Sequence, residues 1–163
     1  MSSVSEWDLP EPFCIDVVVG EGDIDGYGHA NNTSYLRWCE QVVWAHSRSI
    51  GLDMPDFQRL GRAMVVRRTE LDYLAPAFAG DCLQICNWVV ATDRRVSARR
   101  QFQIRRPADA GTLLRAQVLY ACIDLASGRP ARMPPEFADR YAVDPEVRAA
   151  LLSAGRKPDK PRA

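Results

Sequence analysis

Hydrophobic and polar positions repeat with two different periods along the chain, and the change of period divides it into elements. Residues 13–20 are apolar and β-branched, which predicts a first strand. From residue 34 to 48 apolar side chains recur every three or four positions, the spacing of a helix that buries one face. Residues 31–34 offer N-caps for this helix, and Gly51 offers a C-terminal stop. The recurring apolar-stripe positions are Tyr35, Trp38, Cys39, Val42, Val43 and His46.

Strand-like segments dominate the second half of the chain. Short turns separate them, so we expect an antiparallel meander, because parallel strands need longer crossovers. Short helices are expected at residues 53–60 and near residues 144–154. The pattern β–α–ββββ predicts the α+β class, with an antiparallel sheet of about five strands that buries one face against a long helix. The four segments are residues 63–74, 82–91, 96–106 and 112–125.

Length and composition set bounds on the organisation. The 163 residues fit one domain. We place a flexible arm at residues 1–12, the folded domain at 13–137, and a short helix with a disordered tail at 138–163. Basic and acidic residues balance at 21 each, so bulk charge does not favour nucleic acid as a partner. No window reaches the roughly 20 apolar residues that span a bilayer, and residues 1–12 lack the apolar run of a signal peptide. We expect a cytoplasmic protein.

Five cysteines and two histidines limit redox and metal chemistry. An odd cysteine count without paired spacing predicts free, buried thiols in a reducing compartment. A structural zinc site needs four nitrogen or sulfur ligands, and the spacing of cysteines and histidines supplies no such set. We therefore expect no metal site.

Side chains that could take part in catalysis are concentrated in residues 23–32, Asp-Ile-Asp-Gly-Tyr-Gly-His-Ala-Asn-Asn, directly before the long helix. Unpaired N–H groups at a helix start, together with the helix dipole, attract negative charge. Thioester hydrolysis passes through an oxyanion and needs a carboxylate that attacks or that activates water. Asp23 and Asp25 place carboxylates within about ten residues of those amides. The same residue types are also common caps and turn formers, so the loop alone leaves both roles open.

The motif D-x-D-x-x-G-H-x-N-N, which continues into residues 35–38, resembles the signature of the 4-hydroxybenzoyl-CoA thioesterase-type hotdog family. Residues 67–81 resemble that family's second strand and the turn after it, and residues 124–135 resemble its last strand and exit. The similarity covers residues 13–137. It implies a hotdog fold, in which an antiparallel sheet wraps a long helix, and acyl-CoA thioesterase activity. The G-H-x-N-N form resembles the branch that includes bacterial long-chain acyl-CoA thioesterases.

The resemblance implies roles for four residues. The family's catalytic carboxylate is the second Asp of D-x-D, which falls on Asp25. Backbone amides at the helix start polarise the thioester carbonyl, and they fall on Asn31 and Asn32. His29 lies in the same motif, where it either assists proton transfer or braces the loop. The family also implies a homodimer or a dimer of dimers, with the site between subunits, and neither a metal nor an organic cofactor.

Contacts to acyl-CoA are expected from the same motif, from the second strand and from a cluster of arginines at residues 94–106. Bidentate guanidinium contacts suit the phosphates of CoA. Alternation along a strand divides the arginine cluster between two faces, which disfavours a nucleic-acid-binding stripe and equally allows solvated or subunit-interface roles. The expected contact residues are Gly28, Tyr35, Arg67, Arg94, Arg95 and Arg99.

Several alternatives stay open at this level. Asp25 either attacks the carbonyl or deprotonates a water. A hotdog enoyl-CoA hydratase or dehydratase is the first alternative activity, for which only His29 is available near the site. A non-catalytic acyl-CoA-binding protein is the second. Glu40 lies off the apolar stripe of the helix, so a catalytic role for it is the lesser alternative. The acyl group, and the choice between CoA and acyl carrier protein, are not encoded in the spacing.

Overall fold

The computed structural model describes residues 6–161 and consists of a five-stranded sheet with four α-helices in that part of the chain. The strands are β1 Phe13–Val18, β2 Arg62–Tyr73, β3 Cys82–Thr92, β4 Ser97–Arg106 and β5 Gly111–Asp124. The helices are α1 Asn32–Ser49, α2 Met54–Leu60, α3 Pro135–Arg140 and α4 Pro145–Ser153. All elements expected from the sequence are present, and α3 is an additional short helix.

The strand order is β1-β3-β4-β5-β2, with every pair antiparallel. The predicted meander is confirmed for β3, β4 and β5 but is wrong for β2, which pairs with β5 rather than with β3. The loop after β2 instead carries the chain past the start of α1, where the N–H of Ala30 donates to the carbonyl of Ala77 at 2.8 Å. The length of a turn indicates whether two consecutive strands can be antiparallel neighbours. It does not show that a strand such as β2 pairs with one that is distant in the sequence.

The core lies between α1 and the concave face of the sheet. Trp38 and Val42 project from α1 into a cluster of buried side chains from β3, β4 and β5. Among them are Ile85, Phe102 and Leu114, which are fully buried. The apolar stripe predicted for α1 is confirmed at four of its positions, and Val43 and His46 are half-buried near its C-terminal end. The helix covers the sheet face because it carries the largest apolar surface available to that face.

The convex face of the sheet is covered by the two ends of the described chain, which corrects the expectation of a loose arm and a disordered tail. Trp88 on β3 points to this face, and its indole N–H donates to the carbonyl of Pro10 at 2.7 Å. On the same strand, the N–H of Thr92 donates to the carbonyl of Pro158 at 2.8 Å. Because β3 is apolar on both faces, its convex side also needs a cover. Residues 1–5 and 162–163 of the predicted arm and tail lie outside the described residues.

The prediction that all five cysteines are free thiols is wrong for two of them. Cys14 on β1 and Cys86 on β3 are direct cross-strand partners, with Cα atoms 4.1 Å apart, and they form a disulfide. Their pairing follows from the β1–β3 register, which joins residues 72 positions apart in the sequence. Cys39 and Cys122 are buried free thiols, as expected, and Cys82 is free but exposed. A cytoplasmic location stays a prediction.

A buried polar cluster lies beneath the last turn of α1. The guanidinium of Arg100 on β4 donates to the side-chain oxygen of Asn87, and its Nη1 lies 2.8 Å from His46 Nδ1. The His46 ring stacks on Phe13 with 4.7 Å between ring centroids. Burial and the nearby charge of Arg100 lower the pKa of His46 to about 4. The histidine therefore stays neutral at pH 7, as a core residue.

Lowering the pH from 7 to 5 is expected to reduce the free energy of unfolding by about 2 kcal/mol. The pKa of His46 in the folded protein lies below its ordinary value of 6.5. The unfolded chain therefore binds the additional proton in this window, so stability that is complete above pH 6.5 is lost as the pH falls towards 4. Urea unfolding at both pH values measures the change.

The two histidines provide a matched control for this measurement. His46→Gln is expected to remove most of the pH dependence between 7 and 5. His29→Gln is expected to keep it, because the side chain of His29 is 40% exposed. A His46→Gln variant with the full pH dependence of the wild type would contradict the assignment.

Candidate active site

The loop before α1 is a small, closed hairpin rather than an open coil. Ile24 and Ala30 form an isolated antiparallel bridge. Inside it, the N–H of Asp25 donates to the carbonyl of His29, and the N–H of Gly28 donates to the carbonyl of Asp25, both at 3.0 Å. Gly28 has φ +84°, a left-handed conformation that a side chain would disfavour. The hairpin therefore holds Asp25 at a defined position next to the helix start.

The Asp25 carboxylate is engaged through only one oxygen. Its Oδ1 accepts the N–H of Tyr27 at 2.8 Å and lies 4.0 Å from Nδ1 of His29, which is too far for a hydrogen bond. No hydrogen bond among the described residues involves Oδ2. The side chain is 23% exposed. One carboxylate oxygen is thus positioned by the loop, and the other is available to a ligand.

Asp23 has a different environment and anchors the loop to α1. Its carboxylate accepts the N–H of Gly20 at 3.0 Å, the hydroxyl of Ser34 at 2.9 Å and a guanidinium N–H of Arg37. Burial alone would raise the pKa of Asp23, but these hydrogen bonds and the Arg37 charge outweigh it and lower the pKa below its ordinary value. Of the two roles that the sequence leaves open, these partners support the structural one for Asp23, as an anchor between the loop and α1.

The first turn of α1 contains one open amide. The N–H of Asn31 donates to the carbonyl of Asp23 at 2.7 Å, and the Asn31 side chain accepts the N–H of Thr33 at 2.9 Å. The N–H of Ser34 is bound to the carbonyl of Asn31. The N–H of Asn32 has no acceptor among the described residues. Of the two amides expected to bind an oxyanion, the structure therefore leaves Asn32 free and uses Asn31 as the helix cap.

Exposed apolar side chains surround this end of the molecule. The Tyr73 hydroxyl at the end of β2 donates to the carbonyl of Asn32 at 3.0 Å, which ties that strand to the helix start. The loop after β2 is joined to the segment before the hairpin by the N–H of Val19, which donates to the carbonyl of Asp81 at 2.9 Å. The exposed large apolar residues on these segments are Val18, Tyr27, Tyr73, Leu74 and Phe78.

The residues expected to contact the substrate do not lie together in the structure. Tyr35 is buried, and its hydroxyl accepts the N–H of Ala77 at 2.9 Å, so it packs in the core. Arg67 is exposed on β2, and Arg95 is exposed in the β3–β4 turn. Arg94 in the same turn is paired with Asp139 at 2.7 Å. None of these side chains is bonded to the hairpin that carries Asp25.

Arg99 lies in a cationic groove on the convex face. Its guanidinium donates to Gln117 at 3.1 Å, and it borders a cavity of about 350 Å³ together with Arg156, Lys157 and Lys160. Burial and the neighbouring charge of Arg99 lower the pKa of Arg156. The groove has no acidic residue in its lining. It is a candidate site for an anionic group.

Sequence reasoning did not find the Asp23–Ser34–Arg37 network or the burial of Arg100. Ser34 and Arg37 are three residues apart and therefore share a helix face, which was an available signal. Arg100 has the same strand parity as Phe102, which also pointed to an inward side chain. Within residues 6–161 there is no group of three or more Cys, His, Asp and Glu side chains that could hold a metal ion. None of the helices in that range is long and apolar enough to cross a membrane.

Comparison with known proteins gives the family context. Residues 19–141 match the family model described as the thioesterase-like superfamily. Over 127 residues the chain is 21% identical to a chloroplastic acyl-acyl carrier protein thioesterase of Arabidopsis thaliana. That alignment covers 78% of this chain and 66% of the relative, so the chain spans just under two thirds of the relative's length.

Solved structures share the fold. A 1,4-dihydroxy-2-naphthoyl-CoA thioesterase from Synechocystis superposes with a TM-score of 0.73 at 23% identity, over 80% of this chain and 96% of that chain. A hypothetical protein from Staphylococcus aureus, solved in complex with CoA, superposes with a TM-score of 0.74 at 18% identity. The second match covers 80% of this chain and 81% of the other. At these identities the likeness concerns the fold.

Replacing Asp23 by Ala is expected to lower the free energy of unfolding by about 1–3 kcal/mol, because the buried hydroxyl of Ser34 and the N–H of Gly20 lose their acceptor. Urea unfolding of the purified variant measures the loss. Glu21→Ala is the matched control, since Glu21 is an exposed acidic residue in the same turn. Equal effects of the two substitutions would contradict the anchoring role.

Proposed function

The chain belongs to the thioesterase-like superfamily, and from this membership we propose that it hydrolyses acyl-CoA to a carboxylic acid and CoA at the start of α1. The family confirms the predicted enzyme class, a thioester hydrolase, and the shared architecture confirms the predicted hotdog fold. The roles of individual residues are argued from two polar groups that have no hydrogen-bond partner among the described residues. They are the N–H of Asn32 and the Oδ2 of Asp25, on a helix start and the hairpin that precedes it.

The thioester carbonyl oxygen is positioned by the N–H of Asn32. This amide lies at the positive end of the α1 dipole, so it stabilises negative charge that develops on the oxygen as the carbonyl carbon becomes tetrahedral. The bonds that fix Asn31 and Ser34 keep the first turn rigid, so little reorganisation is needed during the reaction. A single open amide also means that a second donor is expected from elsewhere, such as a water or another subunit.

The Asp25 carboxylate acts in either of two ways, as the nucleophile or as a general base. In the first, a carboxylate oxygen attacks the carbonyl carbon and the C–S bond breaks, which releases the CoA thiolate. Water then cleaves the resulting anhydride, which frees the acid, restores the Asp25 carboxylate and supplies a proton to the thiolate. In the second, the carboxylate takes a proton from water, the hydroxide adds to the carbonyl, and the proton passes to the leaving thiolate. Both routes use the oxygen that the loop leaves unbonded, and Tyr27 holds the other oxygen in place.

We assign His29 the role of positioning the Asp25 carboxylate. Its Nδ1 is 4.0 Å from Asp25 Oδ1, and its ring lies beside Tyr27 with 6.2 Å between ring centroids. A small rotation of either side chain would form a direct hydrogen bond to the carboxylate. His29 therefore braces Asp25 when substrate is bound, and the backbone bond between these two residues maintains their spacing.

A second copy of the chain completes the site in this proposal. Exposed apolar residues concentrate around the helix start, and contiguous exposed apolar surface marks sites of association or ligand binding. A homodimer or a dimer of dimers would cover them and form an apolar groove for the acyl chain. We assign acyl-CoA as the substrate because the cations of the groove beside Arg99 suit the phosphates of CoA.

Asp25→Asn is expected to lower kcat for acyl-CoA hydrolysis by at least about 100-fold, because the amide neither attacks the carbonyl nor accepts a proton from water. Release of free thiol from a series of short, long, branched and aromatic acyl-CoAs measures the rate and also defines the acyl specificity. Circular dichroism verifies that the variant is folded.

Glu40→Gln is the control for this measurement, since Glu40 is the exposed carboxylate on α1. It is expected to keep kcat within about twofold of the wild type. Hydrolysis by a folded Asp25→Asn variant at the wild-type rate would remove Asp25 from the mechanism. Hydration of enoyl-CoA without thiol release would favour a hydratase, and tight acyl-CoA binding without either reaction would favour a binding protein.

Arg99→Gln is expected to raise KM for acyl-CoA by about threefold to tenfold with little change in kcat, because it removes one cation from the groove proposed for the CoA phosphates. Arg59→Gln is the control, since Arg59 is exposed and paired with Glu136 at 2.9 Å. Steady-state kinetics of both variants gives the comparison. An unchanged KM in Arg99→Gln would place the phosphates elsewhere.

A further inference from the structure

A second cavity lies at the opposite end of α1 from Asp25. It has a volume of about 310 Å³ and is lined mainly by apolar and aromatic side chains of α1, α2 and β2. Small-molecule sites of this kind usually begin at roughly 300 Å³. Val43 is the lining residue of α1 nearest the helix start. It follows Asn32 by 11 positions, about 16 Å along the helix axis, so within one chain the cavity is separate from the Asp25 site.

The charged residue in the lining of this cavity is Arg100. The residue is 3% exposed. Its Nη1 is occupied by Asn87 and His46, both of them neutral at pH 7. Its Nη2 is buried and forms no hydrogen bond of ordinary geometry within residues 6–161, and the neutral Tyr141 side chain is the further group that interacts with the guanidinium. The Tyr141 ring lies beside the guanidinium, with the Arg100 Cζ 5.6 Å from the ring centroid, and the tyrosine also borders the cavity.

The second buried arginine of the described chain shows what Arg100 lacks. Arg105 is also 3% exposed, but it pairs with the carboxylate of Glu6 at 2.9 Å and packs on the ring of Trp7. Within residues 6–161, no carboxylate forms an ion pair with Arg100. A buried charge without a counter-ion is energetically unfavourable, and a bound anion relieves that cost.

We propose that this cavity binds an amphipathic carboxylate, with its alkyl or aryl body against the apolar lining and its carboxylate on Arg100. A carboxylate matches the planar guanidinium and supplies the counter-ion that Arg100 lacks, while the lining is too apolar for a strongly hydrated anion such as phosphate. A free fatty or aromatic acid has this chemistry. Such an acid is also the product of the proposed hydrolysis, although binding here does not depend on that activity.

Calorimetry with sodium octanoate and with octan-1-ol tests the proposal on the full-length protein in its own oligomeric state. The two ligands share the alkyl chain and differ in the carboxylate. Wild type is expected to bind octanoate at least about tenfold more tightly than octanol, because a charge-assisted bond to Arg100 adds to the same apolar burial. Equal affinity for the two ligands, or no binding of octanoate, would overturn the proposal.

Arg100→Met is expected to reduce the affinity for octanoate to that for octanol, since Met keeps the apolar volume without the charge. Arg148→Met is the matched control, because Arg148 on α4 is paired with Asp159 and does not border the cavity. It is expected to bind both ligands like the wild type. Retained octanoate preference in a folded Arg100→Met variant would contradict the site.

Two further variants keep the test decisive if Arg100→Met does not fold. Ala63→Phe adds a ring to the cavity lining and leaves Arg100 in place, so it is expected to abolish binding of both ligands. Asp25→Asn is expected to lose hydrolysis and to bind octanoate like the wild type, so the proposed activity and this site are tested separately. Octanoate binding that persists in Ala63→Phe, or that is lost in Asp25→Asn, would assign the ligand to another place.

Discussion

The packing of α1 into the concave face of the sheet is the interaction on which the rest of the molecule depends. Trp38 and Val42 are buried there against side chains from three strands. Because the helix is held along its length, both of its ends have fixed surroundings. The N-terminal end meets the Asp25 hairpin and the end of β2. The C-terminal end lies over the Arg100 cluster and the apolar cavity.

The charged side chains at the two ends of α1 have the signs that the helix dipole favours. Two acidic residues precede the open amide of Asn32. The Asp23 carboxylate is bonded to Ser34 and Arg37, and Asp25 has one oxygen without a hydrogen bond among the described residues. At the C-terminus the cation Arg100 lies next to the last turn, where the dipole favours positive charge. This field helps the fold tolerate a buried guanidinium that has no carboxylate partner. In the two proposals, the N-terminal end stabilises a developing oxyanion and the buried cation at the C-terminal end binds an anionic ligand.

Exposed apolar surface is concentrated at the same two places. Five large apolar side chains surround the helix start, and Trp44, Met54 and Leu125 are exposed at the cavity. In the proposed enzyme, association of subunits covers the first group and shapes the acyl groove. The second group would guide the hydrocarbon part of a carboxylate towards Arg100. Both arrangements follow from apolar residues that the single chain leaves in contact with water.

The sequence alone determined the elements, the helix stripe and the hotdog family, because these follow from local periodicity and from one contiguous motif that ends at Asn32. It also placed the Asp25 carboxylate next to the helix start, since both lie within a single short segment, and a catalytic role for Asp25 stays a prediction. Only the tertiary structure decided that β2 pairs with β5, that Cys14 joins Cys86, and that Arg100 is buried without a counter-ion. Those features depend on strand register and on partners far apart in the chain, and local spacing carries no information about either.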